Sequence, residues 1–186
     1  MLRHLTVIAL TLLIAACQAR QASLDFDNSR DFAAYRNWAW AEPALQYQPD
    51  DLRLRSDLTE QRVRQAISEQ LDQRGLRPAA PGARADLQVR AYLIVETRQQ
   101  QVTTQYSPGF GNYWGGYWGS PIVNESRNVD YRVATLQVDL LDGKDGKLVW
   151  RSSVERIVDD NPGSPGERNA QIQGSVARIM ANYPPR

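Results

Sequence analysis

The chain has 186 residues, a length that suits one domain, and its 22 basic residues nearly balance its 21 acidic ones. A chain so close to neutral lacks the excess positive charge with which proteins bind nucleic acid, so we predict no nucleic-acid partner. With one cysteine and one histidine in the sequence, a disulfide-rich scaffold is excluded.

The first 17 residues have the parts of a secretory signal: a positive start, an apolar run and small residues. The apolar run, residues 5–14, is too short for a membrane-spanning helix, which needs roughly 20 residues. Residues 14–17 read IAAC and resemble the lipobox of bacterial lipoproteins. The resemblance implies cleavage before Cys17, a diacylglycerol on its sulfur and an acyl chain such as palmitate on its amino group. An intermolecular disulfide and a reactive thiol are the alternatives.

Cleavage before Cys17 leaves 186 − 16 = 170 residues, with 17–22 as a lipid-carrying tether and 23–186 as a single domain. This mature chain has no histidine, because His4 is removed with residues 1–16. Ser-His-Asp and Cys-His catalysis and His/Cys zinc sites are therefore excluded. We predict no cofactor, no metal and no catalytic residue, although a carboxylate pair or an all-oxygen cation site is compatible with the composition.

The residue after Cys17 indicates which membrane holds the anchor. In the system that the lipobox resembles, Asp at this position favours the inner membrane, and this chain has Gln18 instead. We therefore expect an outer-membrane lipoprotein that faces the periplasm, with the lipid bilayer as its first partner. The tether would keep the domain within about 18 Å of that bilayer, at about 3.3–3.6 Å per residue.

Two strands are predicted next. Residues 23–27 alternate polar and apolar, and residues 37–41 place Trp38 and Trp40 on one face of an extended segment. The two tryptophans are more simply explained as caps on the core than as a platform for a ligand. Prolines at positions 43 and 49 then predict a loop that continues through residue 54.

A helix is predicted over residues 57–74. Asp57 and Glu60 have the spacing of a capping box, and Ser56 is an alternative N-cap. Gly75 provides the stop, because glycine readily takes the left-handed conformation that ends a helix.

Residues 86–97, 128–141 and 148–158 predict three longer strands. Residues 142–147 read DGKDGK, which predicts a hairpin between the last two strands. The apolar pattern of the middle strand shifts at Val133–Ala134, which indicates either a bulge or burial on both faces.

A second helix is predicted from its capping residues. Ser164 as N-cap, Pro165 in the first turn and Glu167 three residues after the cap form a capping box. The apolar residues that follow at helical spacing are Ile172, Val176, Ile179, Met180 and Tyr183.

Residues 105–121 read QYSPGFGNYWGGYWGSP and alternate glycine with aromatic residues. The glycines favour a loop between the two long strands. The rings could cover an open face of the sheet, form a surface for a partner, a glycan or the lipid interface, or belong to a disordered loop. The candidate binding surface consists of Tyr106, Phe110, Tyr113, Trp114, Tyr117 and Trp118.

Acidic residues near turns are weaker candidates. Asp50–Asp51 and Asp159–Asp160 are adjacent pairs, which are more simply explained as solvated loops than as acid/base dyads. Asp139, Asp142 and Asp145 could suggest calcium, but they lack the spacing and the terminal Glu of an EF-hand.

Three stretches carry a resemblance to a known family; they read DFAAYRNWAWAEP, LQVDLLDGKDGKLVWRSSVE and VARIMANYPPR. Together they resemble the bacterial family called domain of unknown function 4136, whose members are typically lipoproteins. Here Arg151-Ser152 replaces the usual Arg-Gly. The resemblance covers nearly the whole mature chain, and it implies no catalytic residues because the family has no settled activity.

The order of elements predicts an α+β fold, with a mainly antiparallel sheet and two helices packed on one face. We expect a non-enzymatic binding or structural module of the cell envelope, with an envelope protein or glycan as its partner. The alternative is a carboxylate-dependent enzyme that acts on envelope glycans.

Overall fold

The computed structural model describes residues 22–106, 123–158 and 163–185. The strands are β1 (Ser23–Phe26), β2 (Asn37–Gln48), β3 (Arg77–Pro78), β4 (Leu87–Tyr106), β5 (Val123–Asp142) and β6 (Leu148–Val158). The helices are α1 (Asp57–Gln73) and α2 (Pro165–Met180), and a short 3-10 turn covers Phe32–Ala34. The strands form one sheet in the order β1-β6-β5-β4-β2-β3, curved into a half-barrel. The predicted α+β fold is confirmed.

The sheet is mixed, so the prediction of a mainly antiparallel sheet is wrong. Strands β1, β6, β5 and β4 pair antiparallel, whereas β2 pairs parallel with both β4 and β3. The reason lies in the connection between β2 and β4. Helix α1 carries the chain back along the sheet, so that β4 starts at the same end as β2, as in other parallel crossovers.

Strand β2 continues through Pro43, where a loop was predicted. The register between β2 and β4 shifts between Trp40 and Leu45, and Pro43 lies inside this irregularity. On its other side, β2 pairs with β3 only at Asn37 and Trp38. Proline therefore interrupts no regular ladder here, which is the situation in which a strand tolerates it.

Both helices begin where they were predicted to begin, but for α1 the alternative N-cap, Ser56, is the one observed, and Asp57 is the first residue of the helix. Ser56 is the N-cap of α1 and accepts a hydrogen bond from the Thr59 N–H at 3.3 Å. Ser164 and Glu167 form the complete capping box of α2. The two helices pack on the same face of the sheet and share one core with its strands. Its largest fully buried side chains include Trp150, Ile67, Leu71, Leu87, Leu140 and Ile179.

The two tryptophans of β2 belong to this core. Trp38 is buried and Trp40 packs against the cluster, with the rings edge to face and their centroids 5.3 Å apart. The Arg64 guanidinium lies 5.2 Å from the Trp40 ring centroid. The interpretation of the pair as caps on the core is confirmed.

The pattern shift in β5 reflects burial on both faces. Strand β5 pairs with β4 without interruption, so there is no bulge against β4 at Val133–Ala134. Ala134 points to the helices, and Val133 is buried on the opposite face, which we call the open face of the sheet. Neither of the two described helices has the length and hydropathy needed to cross a bilayer.

Candidate functional site

Strands β4 and β5 extend well beyond the rest of the sheet. They pair from Leu87↔Asp142 to Tyr106↔Val123, whereas β2 reaches only Ile94 and β6 only Arg132. Within the described ranges, residues 98–106 and 123–131 therefore pair only with each other. These nine residue pairs form a ribbon roughly 30 Å long, at about 3.4 Å per residue. We call this ribbon the β-arm.

The predicted binding surface is attached at the far end of the β-arm. Tyr106 is the last residue of β4 and pairs with Val123, the first residue of β5. The other five predicted residues, Phe110, Tyr113, Trp114, Tyr117 and Trp118, lie outside the described residues, as does Cys17. The pair Tyr106↔Val123 lies at the end of the β-arm that is distant from the core.

The two faces of the β-arm differ in polarity. The face that continues the helix side carries polar residues such as Gln99, Thr103 and Ser126, and the last two hydroxyl groups lie 3.0 Å apart. The face that continues the open side carries an apolar group that we call the arm stripe. It consists of Val102, Val129 and Tyr131 on the arm, together with Val133 and Ile157 at its base.

The arm stripe is partly open to solvent. Val129 is 40% exposed and Ile157 is 50% exposed, although Val133 at the base of the arm is buried. The stripe borders a shallow hollow of about 360 Å³. Covering such apolar side chains is favourable, so this face of the β-arm can gain free energy from contact with a partner.

Charges beside the arm stripe are paired with one another. Arg98 donates from Nη2 to Glu155 Oε1 at 2.8 Å and to Glu96 Oε2 at 3.1 Å. The hydrogen bond that Arg98 donates to Glu155, followed by the one it donates to Glu96, raises the pKa of the Arg98 guanidinium. The charges at the base of the arm are therefore engaged with one another, whereas Glu125 and Arg127 lie on the same face farther out. Apolar, polar and backbone contacts are all available at this face.

The edges of the β-arm offer such backbone contacts. In the part of the chain that the structure describes, no third strand pairs with residues 98–106 or 123–131. Their outward N–H and C=O groups can therefore pair with a strand from another chain. A polar face, an apolar stripe and two open edges together suit the binding of an extended peptide segment.

The acidic residues that could suggest calcium are engaged elsewhere. Asp139 lies on the open face and accepts hydrogen bonds from Arg151 and Gln137. Asp142 accepts hydrogen bonds from Tyr35 and Arg30 on the helix side. Among the described residues, no group of three acidic, histidine or cysteine side chains could hold a metal ion.

The predicted acidic pairs do not form a site either. Asp50 and Asp51 each bond a nearby arginine, Arg55 and Arg53 respectively, in an exposed loop. Paired with arginine in this way, the two carboxylates do not form an acid/base dyad. Asp159–Asp160 lies outside the described residues.

The sequence pattern anticipated part of the arm stripe. Val129, Tyr131 and Val133 alternate with polar residues in the sequence, so their position on one face of a strand could be predicted. Val102, however, is a single apolar residue in a polar stretch. It belongs to the stripe because it pairs with Arg127 of β5, which is two residues from Val129 and on the same face. Ile157 joins from β6 as the partner of Val133. Such cross-strand neighbours follow from register, which local sequence does not specify.

Comparison with known families matches this chain to the domain of unknown function (DUF4136) over residues 22–185. The chain therefore belongs to the DUF4136 family, and the resemblance found in the sequence is confirmed. No curated protein sequence matches the chain.

Two solved structures share the fold. One is a DUF4136 family protein from Bacteroides thetaiotaomicron, with 20% identity, a TM-score of 0.51, and coverage of 88% of this chain and 95% of that chain. The other is a PDZ domain protein from Parabacteroides distasonis, with 14% identity, a TM-score of 0.55 and coverage of 89% of this chain. The match covers 35% of that protein, so this chain spans about a third of its length.

Proposed function

We propose that the protein is an outer-membrane lipoprotein, acylated at Cys17, that faces the periplasm and binds another envelope protein through the β-arm without catalysis. The observation that carries this proposal is the β-arm itself. It projects roughly 30 Å beyond the sheet, and its open face presents the arm stripe.

Along its described length the β-arm has no third strand to support it. A two-stranded ribbon without a packed face is only marginally stable in water, and three or more strands are usually needed. A partner that covers the arm stripe, or adds a strand to an edge of the arm, would supply the missing contacts. Formation of the complex would therefore stabilise the arm and the interface together.

The direction of β1 supports this proposal. The first residue of β1, Ser23, pairs with Ser153, and β6 runs from there toward the base of the β-arm. The N-terminal end of β1 therefore points to the same end of the domain as the arm. An acylated Cys17 would hold this end near the bilayer, where other membrane-anchored proteins are concentrated.

Site-specific crosslinking in cells tests the proposal. A photoreactive amino acid at Val129 should capture one envelope protein, and the same amino acid at Leu58 should not. Leu58 is a suitable control because it is 60% exposed but lies on α1, on the face of the sheet opposite the arm stripe. We expect Ile157→Asp to abolish the crosslink from Val129, because it places a charge in the arm stripe.

The matched control for that substitution is Leu148→Asp. Leu148 lies at the opposite end of β6 and is also partly exposed. Equal capture from Val129 and Leu58, or capture of lipid or glycan alone, would contradict a protein partner. Release of soluble fragments from peptidoglycan by the purified protein would contradict the absence of catalysis.

A further inference from the structure

The outer edge of β4 is open along the whole β-arm. Strand β2 is the neighbour of β4 on that side, and its last pair with β4 is Gln48↔Ile94. Arg98, where the arm begins, lies four residues beyond Ile94, so no strand in the described part of the chain pairs with the outer side of residues 98–106. Every second residue of this segment directs its N–H and C=O outward, because in an antiparallel ladder the others bond to the neighbouring strand.

The outermost strands of the sheet carry features that prevent pairing. Strand β1 is only four residues long and includes Asp25, and β3 is two residues long and includes Pro78. The outer side of β2 meets β3 at one end and has Pro43 in its irregular part. Short edge strands, charges and prolines are the usual means by which proteins keep sheet edges from associating.

The β4 edge of the arm has none of these features. Residues 99–106 read QQQVTTQY, with no charge, no proline and no glycine. Valine, threonine and tyrosine favour strands, and low charge without proline is typical of segments that pair between chains. The β5 edge of the same arm differs, because residues 123–131 include Glu125, Arg127 and Asp130. Of the two edges of the arm, the β4 edge is therefore the better suited to pairing with another strand.

The β4 edge is also complementary to itself. When two copies run antiparallel, all nine residues of each edge pair if Arg98 of each copy lies opposite Tyr106 of the other. This register places Val102 opposite Val102 of the second copy, so a two-fold axis passes between these two residues. The only aliphatic side chain of the segment thus meets another valine instead of a polar group.

The remaining pairs in this register bring no like charges together, and like charges directly opposite one another would be destabilising. The Arg98 guanidinium lies beside the aromatic ring of Tyr106, a combination that allows a cation–π contact. The other pairs join amides with amides or hydroxyl groups; they are Gln99 with Gln105, Gln100 with Thr104, and Gln101 with Thr103.

Pairing of two copies would turn a ribbon of two strands into a sheet of four. A two-stranded ribbon is marginally stable in water, whereas three or more strands support one another. The strand order across the dimer would be β5-β4-β4-β5, with backbone hydrogen bonds along both copies of residues 98–106. If Cys17 carries the anchor, the two copies are held at one bilayer surface, which raises their effective concentration.

We propose that two copies of the protein form a symmetric dimer by antiparallel pairing of residues 98–106 of β4, with Val102 at the two-fold axis. The contact occupies the β4 edge, whereas Val129 and Tyr131 of the arm stripe lie on β5. The dimer therefore does not rest on the proposed function, and the two proposals can fail separately.

Disulfide trapping tests the dimer and its register together. Full-length chains with Gln101→Cys and with Thr103→Cys, carrying different affinity tags, are produced in the same cells, and the membranes are oxidised with copper phenanthroline. The two positions lie opposite each other in the proposed register, where paired Cα atoms are about 4.5–5.5 Å apart, a distance that a disulfide spans. We expect abundant dimers that contain both tags.

The matched control is the pair Asn128→Cys and Ser126→Cys. These residues are the β5 partners of Gln101 and Thr103, so they have the same spacing on the same face of the arm. In the dimer the two copies of β5 are three strand spacings apart, about 14 Å, which is too far for a disulfide. The control should give at least tenfold fewer dimers with both tags, and the unaltered chain measures any disulfide that Cys17 forms.

Charge variants test the same edge without a crosslink. The double substitution Gln101→Lys and Thr103→Lys opposes like charges across the two-fold axis, so it should weaken association of the purified full chain at least tenfold in sedimentation. Ser126→Lys with Asn128→Lys adds the same charge on β5 and should have a much smaller effect. Mixing the lysine variant with Gln101→Glu and Thr103→Glu should restore a mixed dimer, and an unchanged Tm shows that the core is intact.

Several results would overturn the inference. Equal trapping of the β4 and β5 cysteine pairs would indicate random collision and exclude this edge. Stronger trapping between two copies of Gln101→Cys than between Gln101→Cys and Thr103→Cys would exclude the register with Val102 at the axis. A wild-type chain that sediments as a monomer at every concentration, together with a retained crosslink from Val129, would refute the dimer and leave the proposed function standing.

Discussion

Asp142 connects two distant parts of the chain, and its removal offers a sharp test of the fold. The carboxylate is only 5% exposed and lies at the end of β5. It accepts hydrogen bonds from the Tyr35 hydroxyl at 2.9 Å, from Arg30 Nη1 at 3.1 Å and from the Lys144 N–H at 2.6 Å. These bonds join the segment between β1 and β2 to the β5–β6 hairpin.

We expect Asp142→Ala to destabilise the protein by about 3 kcal/mol. Loss of the carboxylate leaves the half-buried Tyr35 hydroxyl without its partner, which costs about 1 kcal/mol, the low end of the range for a buried group. Hydrogen bonds to a charged acceptor contribute about 1.5–3 kcal/mol. Arg30 is not left alone, because it still contacts Asp27 at 3.2 Å and Asp145 at 2.7 Å. The total should therefore fall at the lower end of about 3–5 kcal/mol for breaking a buried pair.

Urea denaturation and thermal unfolding measure this effect. In a chain of this length, 1 kcal/mol shifts Tm by about 2–4 °C, so Asp142→Ala should lower Tm by about 6–12 °C. Tyr35→Phe alone should cost about 1.5 kcal/mol. The double variant should cost less than the sum by at least about 0.5 kcal/mol, because the two residues share one hydrogen bond. A cost below about 1 kcal/mol for Asp142→Ala, or strict additivity, would refute this account.

Three further predictions concern pH, backbone space and the anchor. Burial raises the pKa of Asp142, but hydrogen bonds from the Lys144 N–H, the Tyr35 hydroxyl and the Asp145 N–H outweigh it and hold the pKa below its ordinary value. The resulting stability is present above the unfolded pKa of about 3.9 and is lost as pH falls through the folded pKa. Urea denaturation should therefore show a loss below about pH 4, and a smaller loss in Asp142→Ala. Gly143→Ala should lower Tm strongly because its Cβ would lie 1.8 Å from a backbone oxygen, whereas Gly174→Ala meets open space in α2 and should stabilise by about 0.8–1 kcal/mol in the same assay. Cys17→Ser should remove the acyl chains from the mature chain, and mass spectrometry of an unmodified wild-type Cys17 would contradict the lipoprotein assignment.

Local chemistry explains why both helices could be predicted from the sequence. The predicted helix over residues 57–74 is observed as Asp57–Gln73, and the capping box at Ser164 and Glu167 is present as expected. N-cap residues and the glycines that end helices act through contacts within a few residues, so both can be recognised in the sequence. The apolar alternation of the longer strands is equally local, and it predicted their inner portions.

Long-range pairing explains what could not be predicted. The second half of β2 was predicted as a loop because of its prolines, and only its neighbours in the sheet show that Pro43 interrupts no regular ladder. The outer parts of β4 and β5 are polar and show little apolar alternation, so nothing local distinguishes them from a loop. Their hydrogen bonds to each other make them strands. The candidate site on the β-arm depends on that register, so the sequence indicated only the alternating set Val129, Tyr131 and Val133 and the aromatic segment beyond the strands.

Because β4 pairs with β5 without interruption, the length of the β-arm can change without disturbing the core. Residues can be deleted from or inserted into both strands in matched pairs, and the ladder from Leu87↔Asp142 onward keeps its alignment. Insertion or deletion of two matched residue pairs changes the length of the β-arm by roughly 7 Å and keeps each side chain on its face. Insertion or deletion of a single pair moves every side chain farther out to the opposite face. Even-numbered insertions or deletions alone would therefore change the length of the arm without exchanging its two faces.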